Sequence, residues 1–173
     1  LRTSLLSLLL FIMLSMNSFA QETILQDAFL EKWQHSAQYL LELAARIPDD
    51  SLNYRPTERQ MSVQEQLLHI RANMLWLGNT YFNPEGMEVP DSKSVPANKA
   101  ELLDMLEESF TVVNTLVAQA NTAALAEKVE FFAGPKTRLQ IMNLLQDHVT
   151  HHRGQLIVYL NLMNIEPPRY SGW

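Results

Sequence analysis

Three of the five histidines in this 173-residue chain fall within five positions, in the stretch Asp147-His148-Val149-Thr150-His151-His152-Arg153-Gly154-Gln155. His148 and His152 are four apart, and on a helix that spacing stacks two side chains one turn apart on one face. Two imidazoles so placed can grip one metal ion. A third ligand must come from elsewhere, and the only histidines left are His35 and His69. Three neutral imidazoles from two helices would make an open site, with a position left for water or substrate. A divalent ion held there acts as a Lewis acid and lowers the pKa of a coordinated water or thiol. Zinc is the first expectation, because it tolerates three-nitrogen tetrahedral sites. Nickel, iron and manganese are the alternatives, since availability often decides occupancy.

Around that stretch, the pattern of apolar residues reads as four amphipathic helices. Leu30, Trp33, Ala37, Leu40, Ala44 and Ile47 follow at alternating steps of three and four, so the first helix is expected over about 22–47. Pro48 stops it, because the residue before proline is pushed out of the helical region. Ser62-Val63-Gln64-Glu65 is a capping box that opens the second helix. Val63, Leu67, Ile70, Met74, Leu77 and Tyr81 carry its seam, with His69 beside it. Asn83-Pro84-Glu85-Gly86 ends it. A long connection with Pro84, Pro90 and Pro96 then leads to a third helix starting at Asn98, whose stripe fades near Ala126. Residues 129–135 read as a short extended piece and a turn. Thr137-Arg138-Leu139-Gln140 is a second capping box, opening the fourth helix. In that helix His152 fills the phase between Val149 and Leu156 that the pattern assigns to the interior. Four amphipathic helices without strand alternation predict an all-α four-helix bundle with a long connection between helices 2 and 3.

Other residues near the histidines have a structural and a functional reading. Glu65, one turn before His69, could be a general base, but its capping role already explains it. Asn73 and Trp76, along the same helix, and Tyr159 could line a pocket for a small-molecule substrate, or belong to the core. Arg153 could pair an anionic substrate group or a surface carboxylate. Gln155 and Tyr159 could orient a ligand by hydrogen bonding. His151, about 100° round the helix from His152, is expected to face solvent or stand behind a ligand. His35 falls off its helix's stripe and is expected at the surface, and Asp147 as a solvated charge. Gly154 costs a helix about 1 kcal/mol against alanine, which suggests close packing or room for a ligand.

Composition limits the function classes. With 13 basic and 19 acidic residues the net charge is −6, and no basic run or basic-aromatic stripe is present, so no nucleic-acid partner is expected. Without cysteine there are no disulfides, thiolate ligands or lipid-modified cysteines. Residues 1–20 combine Arg2, the apolar run Leu5–Leu14 and small residues before Gln21, the pattern of a cleaved export signal. The run is shorter than the roughly 20 residues that span a bilayer, so no stable membrane insertion is expected after cleavage. The expected organisation is a signal at 1–20 and one domain over 21–173, exported to the periplasm or outside. The helix faces allow a homodimer without requiring one.

These motifs together resemble the DinB family, metal-binding four-helix bundles that include the YfiT-like proteins. The resemblance rests on Arg55-Pro56, on Ser62 to Ile70 with its Leu67-Leu68-His69 run, and on His148-Val149-Thr150-His151-His152-Arg153-Gly154-Gln155-Leu156. It implies a metal triad of His69, His148 and His152. It also implies an activity of the family's kinds: metal-dependent transfer of low-molecular-weight thiols, or hydrolysis.

Overall fold

The computed structural model describes residues 23–172; the export segment expected at 1–20 lies outside them. Four helices build the bundle: α1 (Arg2–Arg46), α2 (Val63–Phe82), α3 (Lys99–Gln119) and α4 (Arg138–Leu162). Short 3-10 turns at Asp49–Ser51 and Thr122–Ala126 follow α1 and α3. A two-stranded antiparallel ribbon, β1 (Lys128–Val129) with β2 (Lys136–Thr137), precedes α4. It accounts for the expected extended piece and turn, and Gly134 takes the positive φ of 87° that the turn requires.

Both expected capping boxes are present. Ser62 and Thr137 each accept from the amide three residues on, while Glu65 and Gln140 reach back to the cap amide. The end of α4 is set by Asn164, not by the prolines beyond it. Asn164 has φ 59°, its amide bonds Asn161 O, and the Ile165 amide bonds Leu160 O at 2.9 Å. These two bonds define a Schellman motif with asparagine in the left-handed position. The third helix stops at Gln119, earlier than its apolar stripe suggests. Asn121 caps the following 3-10 turn through the Ala123 amide, and Gln26 of α1 donates to the carbonyls of Val117 and Ala120 at 2.6 and 3.1 Å.

The helices are not stacked in chain order. α1 packs on α3 and α4, and α2 packs on the same two helices, so α1 and α2 lie across the bundle from each other. Contacts along the helices give their directions. Gln26 meets Val117 and Trp33 meets Phe110, so α1 and α3 are antiparallel. Gln66 meets Gln155, and Arg138 bonds the Tyr81 carbonyl, so α2 and α4 are antiparallel too. Gln146 bonds Ser36 while Arg46 bonds Glu166 O, so α1 and α4 run the same way. The order is up-down-down-up, and residues 83–98 must return along the bundle's length to start α3. Arg71, 1 % exposed, holds that return by donating to Asp91 O at 2.9 Å. Asn83 pins its start through Met87.

The expected seams form one core. Trp33 is its largest fully buried side chain, stacked on Phe29 and tilted against Phe110, with its indole N–H on Phe110 O. Burying such a side chain removes about 2–3 kcal/mol worth of apolar surface from water. α2 and α3 approach closely at Gly78, where an added Cβ would lie 3.0 Å from Val113 Cγ2.

Candidate metal centre

His69 comes from the middle of α2, and His148 and His152 from facing turns of α4. The antiparallel packing that pairs Gln66 with Gln155 brings the three together. His69 Nε2 lies 3.1 Å from His148 Nε2. The ring centroids are 4.8 Å apart for His69 and His148, 4.7 Å for His69 and His152, and 4.5 Å for His148 and His152. One ring nitrogen from each lies within 4.8 Å of the others, and among the described residues this is the group of three that could hold a metal ion. Two nitrogens each about 2.0–2.1 Å from one zinc ion in tetrahedral geometry would stand a little over 3 Å apart; the His69–His148 pair has that separation, and the group as a whole, within 4.8 Å, would close around a shared ion. His35 is half-buried elsewhere on α1 and outside the group.

Burial lowers the His148 imidazole to a pKa of about 4, with His152, His69 and His151 adding to the effect. Burial, then His69 and His151, hold His152 at about 4 as well. At neutral pH both rings are therefore uncharged and keep a lone pair for a cation. The donor set is all imidazole nitrogen, which suits zinc, nickel or iron better than calcium or magnesium. His148 Nδ1 is buried without a hydrogen-bond partner among the described residues, so Nε2 is its nitrogen in use.

The helix phase expected for His152 is correct: it is buried, while His69 and His148 are half-buried at the cleft between α2 and α4. His151 faces solvent and accepts no metal role here; its Nε2 lies 2.8 Å from Gln155 Nε2. Behind His152 stands Gln66, 2 % exposed, with Oε1 2.5 Å from His152 Nδ1. Its Nε2 donates to Gln155 Oε1 at 2.6 Å and to Tyr159 Oη at 3.4 Å, and Tyr159 donates to Met61 O at 3.0 Å. Gln66 was not among the expected site residues. The available signal was a polar residue three before His69 on the α2 seam, indistinguishable in sequence from a surface glutamine.

The remaining candidates are dispersed. Glu65 is engaged by the Ser62 amide at 2.6 Å and by Arg55 at 3.2 Å. The bond from the Ser62 amide, helped by Arg55, holds its carboxyl below the usual carboxylate range. Asn73, half-buried one turn beyond His69, has a buried Oδ1 with no partner among the described residues. Trp76 is exposed; it stacks on Phe131 and tilts against Phe132, both in the segment that joins the two strands of the ribbon. It lines a groove of about 310 Å³ with Val89 and Pro90 of the long connection, a groove that neither the histidines nor Tyr159 line. Tyr159, in contrast to Trp76, lies buried toward the opposite end, edge-on to Tyr54. Arg153 is 4 % exposed and turned to α1, its guanidinium 4.7 Å over the Tyr39 ring. No carboxylate pairs it among the described residues. Gly154 is exposed, and an added Cβ would meet nothing within 4 Å, so close packing does not explain it.

Fold and site define an all-α bundle with a three-histidine cluster in the cleft between two antiparallel helices. The chain belongs to the DinB family: the family's sequence model matches residues 16–172. YjoA of Bacillus subtilis is 26% identical over 135 residues, covering 75% of this chain and 86% of YjoA. YrdA of the same organism is 24% identical over 150 residues, covering 84% of this chain and 87% of YrdA. The crystal structure of the DinB-like YjoA superposes with a TM-score of 0.68 at 21% identity, over 83% of this chain and 97% of that one. A DinB-like protein from Bacillus cereus superposes equally well, with a TM-score of 0.68 at 19% identity, over 83% of this chain and 96% of its own. At these identities the two structures speak for the fold.

Proposed function

We propose that the protein is a metal-dependent enzyme, with His69, His148 and His152 holding one divalent cation, zinc in the first instance. The reaction class is hydrolysis, or transfer of a thiol-type group, on a small molecule. The observation that carries this reading is the convergence of His69 Nε2 and His148 Nε2 at 3.1 Å, with neutral His152 completing the triangle. A divalent ion in such a three-nitrogen site supplies Lewis acidity and lowers the pKa of a coordinated water or thiol.

The chain's own residues do the rest. Buried His152 anchors the inner side of the site, and the half-exposed edges of His69 and His148 leave the outer side open for a substrate to approach. Asn73, one turn from His69, has a buried amide oxygen without a partner among the described residues, an acceptor a bound ligand would satisfy. Beside the start of α2, a groove of about 490 Å³ lined by Arg55, Glu58, Arg59, Gln60, Met61, Glu65 and Leu68, though by none of the three histidines, has the volume for a small substrate. The export pattern of residues 1–20 supports placing this activity outside the cytoplasm.

The test is metal content and activity together. Residues 21–173, purified without a histidine tag, should carry about one equivalent of metal, lost in His69→Ala and in His148→Ala. Chromogenic esters, phosphate esters and thiol-acceptor substrates should then reveal a turnover that chelation removes. No bound metal after reconstitution with zinc, nickel, iron and manganese would refute the reading.

A further inference from the structure

The hydrogen bonds behind His152 form a chain with a direction, and a backbone carbonyl sets it. Met61 O can only accept. Tyr159 Oη, 3.0 Å away, therefore spends its one proton there. The phenol oxygen is left as an acceptor toward Gln66, so the group of Gln66 that faces it is the amide NH₂. The same NH₂ donates to Gln155 Oε1 at 2.6 Å. Gln66 Oε1 is thereby turned to His152 Nδ1, 2.5 Å away. An amide oxygen only accepts, so His152 Nδ1 must carry the ring proton, and in a neutral imidazole Nε2 is then a bare lone pair. The opposite amide orientation would set Gln66 Oε1 against the lone pairs of Tyr159 Oη, whose proton is committed to Met61 O, whereas Gln155 can turn its own amide to match either orientation. At 2 % exposure no solvent relieves that clash. The network itself thus decides which end of the amide is oxygen.

We propose that Gln66 is a positioning residue. Its buried carboxamide, oriented by Tyr159 and the Met61 carbonyl, locks His152 in the Nδ1–H tautomer and presents Nε2 as the metal-ligating nitrogen. The tautomer follows from the hydrogen bonds alone; the consequence for the metal rests on the function proposed above. Gln66 lies three residues before His69 on α2, so one helix supplies both a ligand and the group that orients a ligand on the opposite helix. Partners behind a ligating histidine typically change metal affinity by about 10–100-fold when removed.

The experiment separates the two parts. In metal-free, ¹⁵N-labelled protein at pH 7.5, ring-nitrogen NMR should show His152 as the Nδ1–H tautomer. Gln66→Leu should shift it toward the Nε2–H form and weaken zinc binding, measured by competition with a chromogenic chelator, by about 10–100-fold. Gln66→Glu keeps the acceptor facing Nδ1 and should keep the tautomer and the affinity at a cost in stability, because its second oxygen meets the Tyr159 Oη lone pairs. A wild-type His152 in the Nε2–H form overturns the lock. An unchanged tautomer in Gln66→Leu, or a changed tautomer with unchanged zinc affinity, overturns the positioning role. Should Gln66→Leu fail to fold, the wild-type tautomer and the affinity of Gln66→Glu decide. If the wild type binds no zinc, the function proposed above falls, and the role of Gln66 toward the metal with it; the tautomer spectrum still decides the lock.

Discussion

The Nε2 atoms of His69 and His148 lie 3.1 Å apart across the α2–α4 interface. Each belongs to a different helix, so the separation depends on how the two helices dock. A slip of one residue along α4 would move His148 by about 1.5 Å and break the site. An ion held there ties the docking of α2 and α4 to its own binding free energy. Thermal unfolding should therefore shift upward with zinc, by about 2.7 kcal/mol of stability at a hundredfold excess over Kd. The shift should disappear in His148→Ala. An equal zinc response in that variant would place the metal elsewhere.

The metal-free protein should lose stability in mild acid. His148 and His152 have pKa values of about 4 when folded and about 6.5 when unfolded. Between those values the unfolded chain binds more protons, so stability is complete above pH 6.5 and falls as pH drops toward 4. Melting temperatures from pH 7.5 to 4.5 in chelator should decline through this window. The decline should be shallower in His148→Gln, which separates the imidazole from the carboxylates.

Glu65 is committed to the start of α2. Its carboxylate caps the Ser62 amide and pairs with Arg55, and glutamine serves equally in a capping box. Glu65→Gln should leave both stability and turnover within about twofold of the wild type. A loss of turnover of a hundredfold, with the melting temperature preserved, would instead make Glu65 a proton-transfer group.

The two helical glycines should respond oppositely to alanine. At exposed Gly154 the new Cβ meets nothing, so the helix gains its propensity term, up to about 1 kcal/mol. At buried Gly78 the Cβ would stand 3.0 Å from Val113 Cγ2 and 3.4 Å from Leu116 Cδ1. Separating α2 from α3 there should cost about 1–3 kcal/mol. Denaturant midpoints of the two variants would show the difference directly.

What was legible in the chain was what repeats or caps locally. The seams of Leu30 to Ile47 and Val63 to Tyr81, and the boxes at Ser62 and Thr137, specify helices whatever surrounds them. His152 at an interior phase pointed to the site for the same reason. The long connection between helices 2 and 3 was legible from its length and from Pro84, Pro90 and Pro96; that α1 and α2 lie diagonally was not, because a seam does not say which helices cover it. Gln66 was missed because burial, not residue type, makes it informative. For Arg153 the sequence offered an anionic substrate group or a surface carboxylate; its place over the Tyr39 ring was not legible, because it depends on α1 packing one position round the helix from His152.

The diagonal placement of α1 and α2 also bears on how the protein is made. The surfaces that cover Trp33 and the rest of the α1 seam belong to α3 and α4, which leave the ribosome last. The first two helices cannot close a hairpin core on their own, so compaction waits for the C-terminal half, and the pairings that complete it span most of the chain. A sequence arranged this way completes its core only once its C-terminal half has been made.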